Sequence, residues 1–276
     1  MRSGIDPTES SDPRSKLLSE RIQKILANAG LGSRRQIDRW VIEGRVTIDG
    51  RAAKPGDQLS GKERICVDGR LVKLGRGRIQ HQHSFLACYK QAGEPSNRDD
   101  REPKAKKTAD AIPPPKHGRW ISVGALDTNA SGLLLLTTDG ELAHRLMHPR
   151  SQIEREYAVR LLGHPSAAQL AQLLEGIELE DGPAKVDSIE AAGGTGSNVW
   201  YHVVQRAGGN RELRGLFDAI GLAVSRVIRV RYGPVKLGDL RRGGSRPLTR
   251  AEIDALYTGV RLKADQTQAP GARRTK

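Results

Sequence analysis

The first part of the chain alternates between helical and strand-like hydrophobic patterns. In SERIQKILANAG, apolar side chains recur every three or four positions, which predicts a helix that ends at Gly30. A second helix begins at Ser33, because Gln36 three positions later completes a capping box, and it ends at Gly44. Two strand-like segments follow, RVTIDGR and ERICVDGRLV, and each contains an Asp-Gly pair typical of a tight hairpin turn.

From residue 84 onward the apolar segments are longer, and strands outnumber helices. SGLLLLTT is apolar enough for a strand buried on both faces, and strand patterns also occur in FLACYK, WISVGAL, EREYAVRLL, NVWYHVVQRA and VSRVIRVRYG. Helical spacing occurs in DGELAHRLMHP, with Leu142, Leu146 and Met147 on one face, and in SAAQLAQLLEGI and GNRELRGLFDAIG. Few strand pairs are separated by a long crossover. We therefore expect an α+β fold with a mixed, mostly antiparallel sheet and flanking helices.

These patterns divide the chain into two domains. Residues 15–74 form a small domain of two helices plus short strands, and residues 84–259 form a larger one. Polar or Pro-rich composition predicts non-globular chain in four places: a disordered tail at 1–14, a linker at 75–83, a mobile loop at 91–117 and a disordered basic tail at 260–276.

The net charge of the chain indicates which classes of partner it can bind. The formal charge is +14 and the isoelectric point is near 10.1, and a cationic surface of this size attracts the phosphates of nucleic acids or of an anionic membrane. No apolar run reaches the roughly 18 residues of a membrane-spanning helix, and the N-terminus lacks a signal-peptide pattern. We therefore expect no membrane association.

The chain has few residues that could form a disulfide, a metal site or a nucleotide-cofactor site. The two cysteines, Cys66 and Cys88, belong to different domains, so we expect no disulfide and a cytoplasmic location. His144 and His148 lie one helical turn apart without an evident third ligand, which argues against a metal site. No phosphate-binding glycine motif for ATP or NAD is present.

Arginines cluster in the small domain, around the start of its second helix and the strand that follows. Backbone N–H groups at a helix N-terminus together with guanidinium groups suit a phosphate, so RNA binding is one interpretation and a solvated basic surface is the other. The candidate RNA-binding residues are Arg21, Ser33, Arg34, Arg35, Arg45 and Arg51.

A single carboxylate, Asp127, lies in a polar turn between two apolar runs, in VGALDTNASGLLLLTTDG. Asp is common in such turns, where it caps the backbone. An acid at the end of a buried strand is also a frequent catalytic position. A buried carboxylate requires a partner, which RLMHP, NRELR or SRVIRVR could supply.

Longer motifs around this acid resemble a known family. VGALDTNASGLLLLTTDGELAHRLMHP with IEREYAVR, followed by GNRELRGLFDAIG and VSRVIRVRYG, resembles the pseudouridine synthases that modify ribosomal RNA. ERIQKILANAGLGSRRQIDRWVIEGRVTIDG resembles the S4 RNA-binding domain that one branch of that family carries at its N-terminus. RWISVGALD and GPAKVDSIEAAGGTGSNVWYHV resemble the members that act on the large ribosomal subunit.

The resemblance implies a role for four residues. Asp127 matches the catalytic aspartate, which acts as nucleophile or as base on the ribose. Tyr157 matches the tyrosine that stacks on the target base, and Arg214 matches the arginine that pairs with the aspartate. Val227 matches an apolar residue, usually leucine, that lines the base pocket.

The reaction implied by this resemblance is an isomerisation of uridine to pseudouridine, with the target base flipped out of its stack. Nothing is added or removed, so we expect no cofactor and no metal. The expected partner is large-subunit ribosomal RNA or a ribosome assembly particle, and the expected oligomeric state is a monomer.

Several positions depart from the family pattern. Arginines of the pattern are replaced by Ala125, Gly209 and Gly215, and an Asn-Lys-Pro segment reads Tyr89-Lys90-Gln91. Loss of several phosphate contacts lowers RNA affinity by orders of magnitude. A catalytically impaired S4-type factor that binds rRNA during ribosome assembly is therefore the alternative interpretation.

Overall fold

The computed structural model describes residues 20–60, 63–72, 83–96, 112–206 and 208–262. The chain divides into two compact units, residues 1–80 and 81–276. The expected tail at 1–14, nearly all of the linker and residues 97–111 of the expected loop lie outside the described residues, as do residues 263–276.

The first unit packs two helices on short strands. Its elements are β1 (Glu20–Arg21), α1 (Ile22–Asn28), α2 (Arg34–Ile42), β2 (Val46–Ile48), β3 (Arg51–Ala52), β4 (Gln58–Leu59), β5 (Ile65–Val67) and β6 (Arg70–Leu71). The capping box at the start of α2 is confirmed, because the Ser33 hydroxyl accepts from Gln36 N at 3.1 Å and the Gln36 side chain accepts from Ser33 N. Both predicted Asp-Gly pairs form hairpin turns, since they lie between paired strands and have positive φ angles.

The second unit is built on one large sheet. Its elements are β7 (Phe85–Lys90), β8 (Ile121–Val123), β9 (Ser131–Thr137), α3 (Gly140–Met147), β10 (Arg155–Leu162), α4 (Ala167–Glu175), β11 (Ile177–Leu179), β12 (Gly182–Ala184), β13 (Ser188–Thr195), β14 (Asn198–Gln205), α5 (Asn210–Ala219), β15 (Ala223–Tyr232), β16 (Val235–Lys236), β17 (Ser245–Pro247) and α6 (Arg250–Gly259). The sequence patterns did not indicate β13, β17 or α6.

Two antiparallel halves of this sheet meet at one parallel pair. The strand order is β13-β14-β10-β15-β9-β7-β17, and β15 and β9 run parallel where Ile228 faces Ser131 and Arg229 faces Gly132. Gly132 has φ +103, and a Cβ there would lie 2.4 Å from Arg229 O, so the junction requires glycine. The predicted α+β class with a mixed, mostly antiparallel sheet is confirmed.

Separate apolar cores cover the two halves. One core packs α3 and α6 against β7 and β9, and the other packs α4 and α5 against β10, β14 and β15. Every residue of β9 is buried, as its composition predicted. The prediction for α3 was wrong at Met147, which is 38% exposed, whereas Leu142 and Leu146 are buried with Ala143. The turn that carries Asp127 comes directly before β9, at the junction of the two halves.

Candidate active site

Asp127 is held by its own turn. Its Oδ1 accepts from Ala130 N at 2.5 Å, and its backbone carbonyl accepts from the same N–H at 3.3 Å. The turn interpretation and the catalytic interpretation are therefore compatible, because one carboxylate oxygen caps the backbone and Oδ2 faces Arg214. The carboxylate side chain is 23% exposed, so it is open to a ligand from one side.

Lys90 holds the turn that carries Asp127 through hydrogen bonds to backbone carbonyls of the turn. Its side chain is fully buried at the end of β7, and Nζ donates to the carbonyls of Ala130 at 2.7 Å, Gln91 at 3.0 Å and Thr128 at 3.4 Å. Burial lowers the pKa of the Lys90 ammonium to about 8, while the negative charge of Asp127 acts in the opposite direction. The sequence signals for this residue were its place at the end of an apolar strand and its match to the lysine of the family's Asn-Lys-Pro segment.

Ser96 fixes the backbone just before Asp127. Its hydroxyl donates to Leu126 O at 2.7 Å and accepts from Leu126 N at 3.0 Å, and its side chain is buried. Ser96 belongs to the segment that the composition predicted as a mobile loop, and low-complexity sequence contains no pattern that would identify it. Together with Gly93, whose N–H donates to Thr128 O at 2.7 Å, it holds both sides of the turn.

Arg214 on α5 approaches Asp127 without a close hydrogen bond. The Arg214 Nε atom lies 3.8 Å from Asp127 Oδ2 and has no hydrogen-bond partner, although it is buried as an atom. Its Nη1 donates to Val224 O at 3.1 Å, which orients the guanidinium. The two side chains are 24% and 23% exposed, so the pair is only partly buried.

Tyr157 is the third residue of β10 and is 1% exposed. It faces Arg229 across the β10–β15 pair, and Arg229 is also buried. Arg229 donates to Leu133 O at 2.8 Å and Gly124 O at 2.6 Å. Burial lowers the pKa of Arg229, and the neighbouring Tyr157 and Tyr232 act in the opposite direction.

Val227 is fully buried in the same apolar core as Tyr157, together with Leu126 and Ala130 on either side of Asp127. The structure therefore brings all four residues of the expected site to the sheet junction. Asp127 and Arg214 are its partly exposed polar pair, and Tyr157 and Val227 are buried in the apolar core that also contains Leu126 and Ala130.

The three positions that lack the expected arginine lie around this site. Ala125 is exposed two residues before Asp127. Gly209 is the N-cap of α5, and a Cβ there would have open space, whereas a Cβ at Gly215 would lie 3.3 Å from Leu179. The structure therefore leaves room for a side chain at the first two positions.

In the small unit, the candidate RNA-binding arginines fall into two groups. Arg45 pairs bidentately with Asp68 at 2.6 and 2.7 Å and lies over the Trp40 ring, and Arg51 pairs with Asp57 at 2.9 Å. Hydrogen bonds and charge from Asp68 raise the pKa of Arg45. Within the described residues, no ion pair involves Arg21, Arg34 or Arg35, which are exposed. The Ser33 hydroxyl serves as the α2 cap.

The described part of the chain lacks the features of a metal site and of a membrane-spanning helix. It contains no group of three His, Cys, Asp or Glu side chains that could hold a metal ion. None of its helices has the length and apolarity needed to cross a membrane. Cys66 and Cys88 are both free thiols.

Comparison with protein families gives two matches. Residues 84–216 match the RNA pseudouridylate synthase family, and residues 20–65 match the S4 domain. Among solved structures, a crystal structure of a pseudouridylate synthase superposes with a TM-score of 0.57 at 29% identity, covering 86% of this chain and 99% of that one.

Curated relatives are similar over most of this chain. The ribosomal large subunit pseudouridine synthase B of Escherichia coli is 47% identical over 249 residues, which cover 89% of this chain and 84% of the relative. The protein of the same name from Pseudomonas aeruginosa is 46% identical over 249 residues, covering 89% of this chain and 64% of the relative.

Proposed function

This chain belongs to the RNA pseudouridylate synthase family, and we propose that it converts uridine to pseudouridine at a specific site in large-subunit ribosomal RNA. The family resemblance inferred from the sequence motifs is confirmed by the family matches and by the relatives. The target RNA class is inferred from the names of those relatives. The observation that carries the proposal is the Asp127 carboxylate, which its turn holds in place while leaving one oxygen facing Arg214.

The isomerisation breaks the bond between ribose C1′ and uracil N1 and forms a bond between C1′ and C5. The proton on C5 is lost and N1 ends with one proton, so the product is an isomer. In this proposal Asp127 acts on the ribose through Oδ2, as nucleophile or as base, because Oδ1 is already engaged with Ala130 N.

We infer that Arg214 tightens on Asp127 when RNA binds. A separation of 3.8 Å is too long for a hydrogen bond, and the buried Nε lacks any other partner. RNA that covers the site would remove water and strengthen the attraction between the two charges. Apo catalytic sites often tighten in this way on substrate binding.

Tyr157 is proposed to stack on the flipped uracil. Extrusion of the uridine costs a few kcal/mol, and stacking on an aromatic ring returns about 1–3 kcal/mol. Because only 1% of Tyr157 is exposed, the entering base must displace neighbouring side chains to reach the ring. Val227 would line the same pocket.

The small domain, for which we propose the boundaries 15–74, would add affinity and placement through Arg21, Arg34 and Arg35, while chemistry stays in residues 84–259. Arg45 and Arg51 are proposed to contribute less, because acids already pair with them. The proposed substrate is free rRNA or an assembly particle in the cytoplasm, and the proposed state is a monomer.

A second function is favoured by one observation, the absence of arginine at Ala125 and Gly209, where the structure has room for one. If these losses abolish turnover, the protein is an rRNA-binding assembly factor.

The deciding experiment uses large-subunit rRNA that lacks pseudouridine. The purified protein is incubated with this RNA, and new pseudouridine is mapped by carbodiimide labelling and primer extension. Asp127→Asn is the matched control, because its amide oxygen can still accept from Ala130 N. A single new stop that is absent with Asp127→Asn supports the enzyme, whereas tight binding without any stop favours the assembly factor.

A further inference from the structure

A polar cleft lies beside the active site, between the end of β7, the turn before β9 and the strand β15. We call it the arginine cleft, and it encloses about 310 Å³. Its charged and polar lining residues are Arg226, Arg242, Asn129, Gln91, Ser131 and Ser225. None of the four catalytic candidates lines it, so it is distinct from the site of chemistry.

A β-bulge shapes one wall of this cleft. In the β10–β15 pairing, Arg160 faces Arg226 and the next pair is Leu161 with Val224, so Ser225 has no partner in the register. In a regular strand, consecutive side chains point to opposite faces of the sheet. An extra residue at a bulge breaks this alternation, so two consecutive side chains can lie on the same face. The bulge lets Ser225 and Arg226 line the same cavity.

The charge of the arginine cleft is not neutralised. Its lining contains two arginines and no carboxylate. Within the described residues, neither Arg226 nor Arg242 forms an ion pair or a side-chain hydrogen bond, and both are exposed.

Two other clefts of the same unit differ in this respect. In one, Arg246 lies 2.7 Å from Glu252, which lines the same cavity. In the other, Arg206 lies 3.1 Å from Asp187, again within one lining. The arginines of those clefts, Arg246 and Arg206, already have anionic partners, whereas the arginine cleft offers two guanidinium groups to a ligand.

The position of the cleft relates it to the substrate. Asn129 lines it and lies two residues after Asp127, so their Cα atoms are within roughly 7 Å of each other. The cleft is therefore near enough to Asp127 for the RNA on either side of a uridine bound there to reach it. Guanidinium groups bind phosphates bidentately, and an amide side chain such as that of Asn129 donates to phosphate or ribose oxygens. The hydroxyls of Ser225 and Ser131 are already hydrogen-bonded, to Arg160 and to Val227 O, so the arginines carry the contact.

We propose that the arginine cleft binds a phosphodiester of the RNA backbone adjacent to the target uridine, a proposal that rests on the proposed function. The arginine cleft places two guanidinium groups near the active site. Ala125 and Gly209, which replace arginines of the family pattern, cannot contact a phosphate in this way. Arg226 and Arg242 are positioning residues, because they would hold the RNA and take no part in bond making or breaking.

The first test measures affinity for a pseudouridine-free large-subunit rRNA transcript in an Asp127→Asn background, which prevents turnover. Arg226→Gln and Arg242→Gln are each expected to weaken binding about fivefold to tenfold near 0.1 M salt and to lower the salt slope by about 0.7. The matched control is Arg250→Gln, because that side chain on α6 is already paired with Asp254 at 2.9 Å. It should change binding less than about twofold.

The second test locates the contact by phosphate-ethylation interference on the same transcript. With the parent protein, ethylation of phosphates within a few nucleotides of the mapped pseudouridine should block binding. With Arg226→Gln or Arg242→Gln this interference should disappear at those phosphates and persist elsewhere. In proteins that retain Asp127, the two variants should raise KM and leave kcat within about twofold.

Two results would overturn the proposal: binding unchanged in both variants, or weaker binding with an unaltered interference pattern. A failure of the proposed function can be distinguished from a failure of the proposal about the arginine cleft. If the wild-type protein forms no pseudouridine but its interference pattern still depends on both arginines, the cleft contacts RNA in a protein that is not an enzyme.

Discussion

Asp127 and Arg214 show how much a single residue depends on its neighbours. The turn from Asp127 to Ala130 fixes one carboxylate oxygen, and two separate segments anchor that turn through Lys90 and Ser96. A carboxylate placed in this way needs no helix or strand of its own. Its orientation comes from hydrogen bonds that converge on the five consecutive residues 126–130.

For Arg214→Ala we expect a loss of turnover of at least about 100-fold with a small loss of stability. The guanidinium is 24% exposed and donates one hydrogen bond to Val224 O, so its removal should cost about 1 kcal/mol of folding free energy. Turnover is measured as tritium release from RNA labelled at uracil C5, and stability by thermal unfolding. Arg214→Lys, which keeps the charge, should recover part of the activity; a collapse of folding in both variants would contradict a catalytic role.

Lys90 makes stability depend on pH. Its pKa is about 8 in the folded protein and 10.5 in a free side chain, so between these values the folded chain has released a proton that the unfolded chain retains. The unfolding free energy should therefore rise with pH in this window and lose that increment as pH falls through 8. Relative to Lys90→Met, the wild type should gain about 1–2 kcal/mol between pH 7.5 and 9.5 in urea unfolding. A constant difference would mean that Lys90 stays charged throughout.

At the scale of elements, helix α2 of the S4 unit combines a structural cap with an RNA-binding candidate. Ser33→Ala removes the capping hydroxyl and should destabilise the fragment 15–74 by about 1 kcal/mol. Arg34→Gln, one residue later, should leave its thermal unfolding unchanged and lower the salt slope of rRNA binding by about one. If the serine variant weakened binding at unchanged stability, Ser33 would contact RNA directly.

At the scale of the whole molecule, the net charge of +14 is distributed over two units, for which we propose different tasks. Deletion of residues 1–74 should weaken rRNA binding by at least about tenfold and reduce its salt dependence, because several phosphate contacts are lost together. At saturating RNA, the remaining chain should keep its turnover. Salt-sensitive binding that is unchanged by the deletion would show that the S4 unit adds no affinity.

Features that depend on local order could be predicted from the amino-acid sequence alone. Hydrophobic periodicity located β9, α4 and α5, and the Ser33 capping box and both Asp-Gly turns could be predicted because neighbouring residues alone decide them. The family motifs identified Asp127 as the catalytic candidate for the same reason, since they are contiguous stretches of chain.

Contacts between segments that are distant along the chain depend on the tertiary structure. Ser96 reaches Leu126 across 30 positions, Lys90 reaches Ala130 across 40, and Arg229 reaches Gly124 across 105. The arginine cleft likewise exists only because the sheet order brings β7, β9 and β15 side by side. Such contacts leave no periodic signal in a sequence, because the fold and not the spacing along the chain sets the distance between the groups.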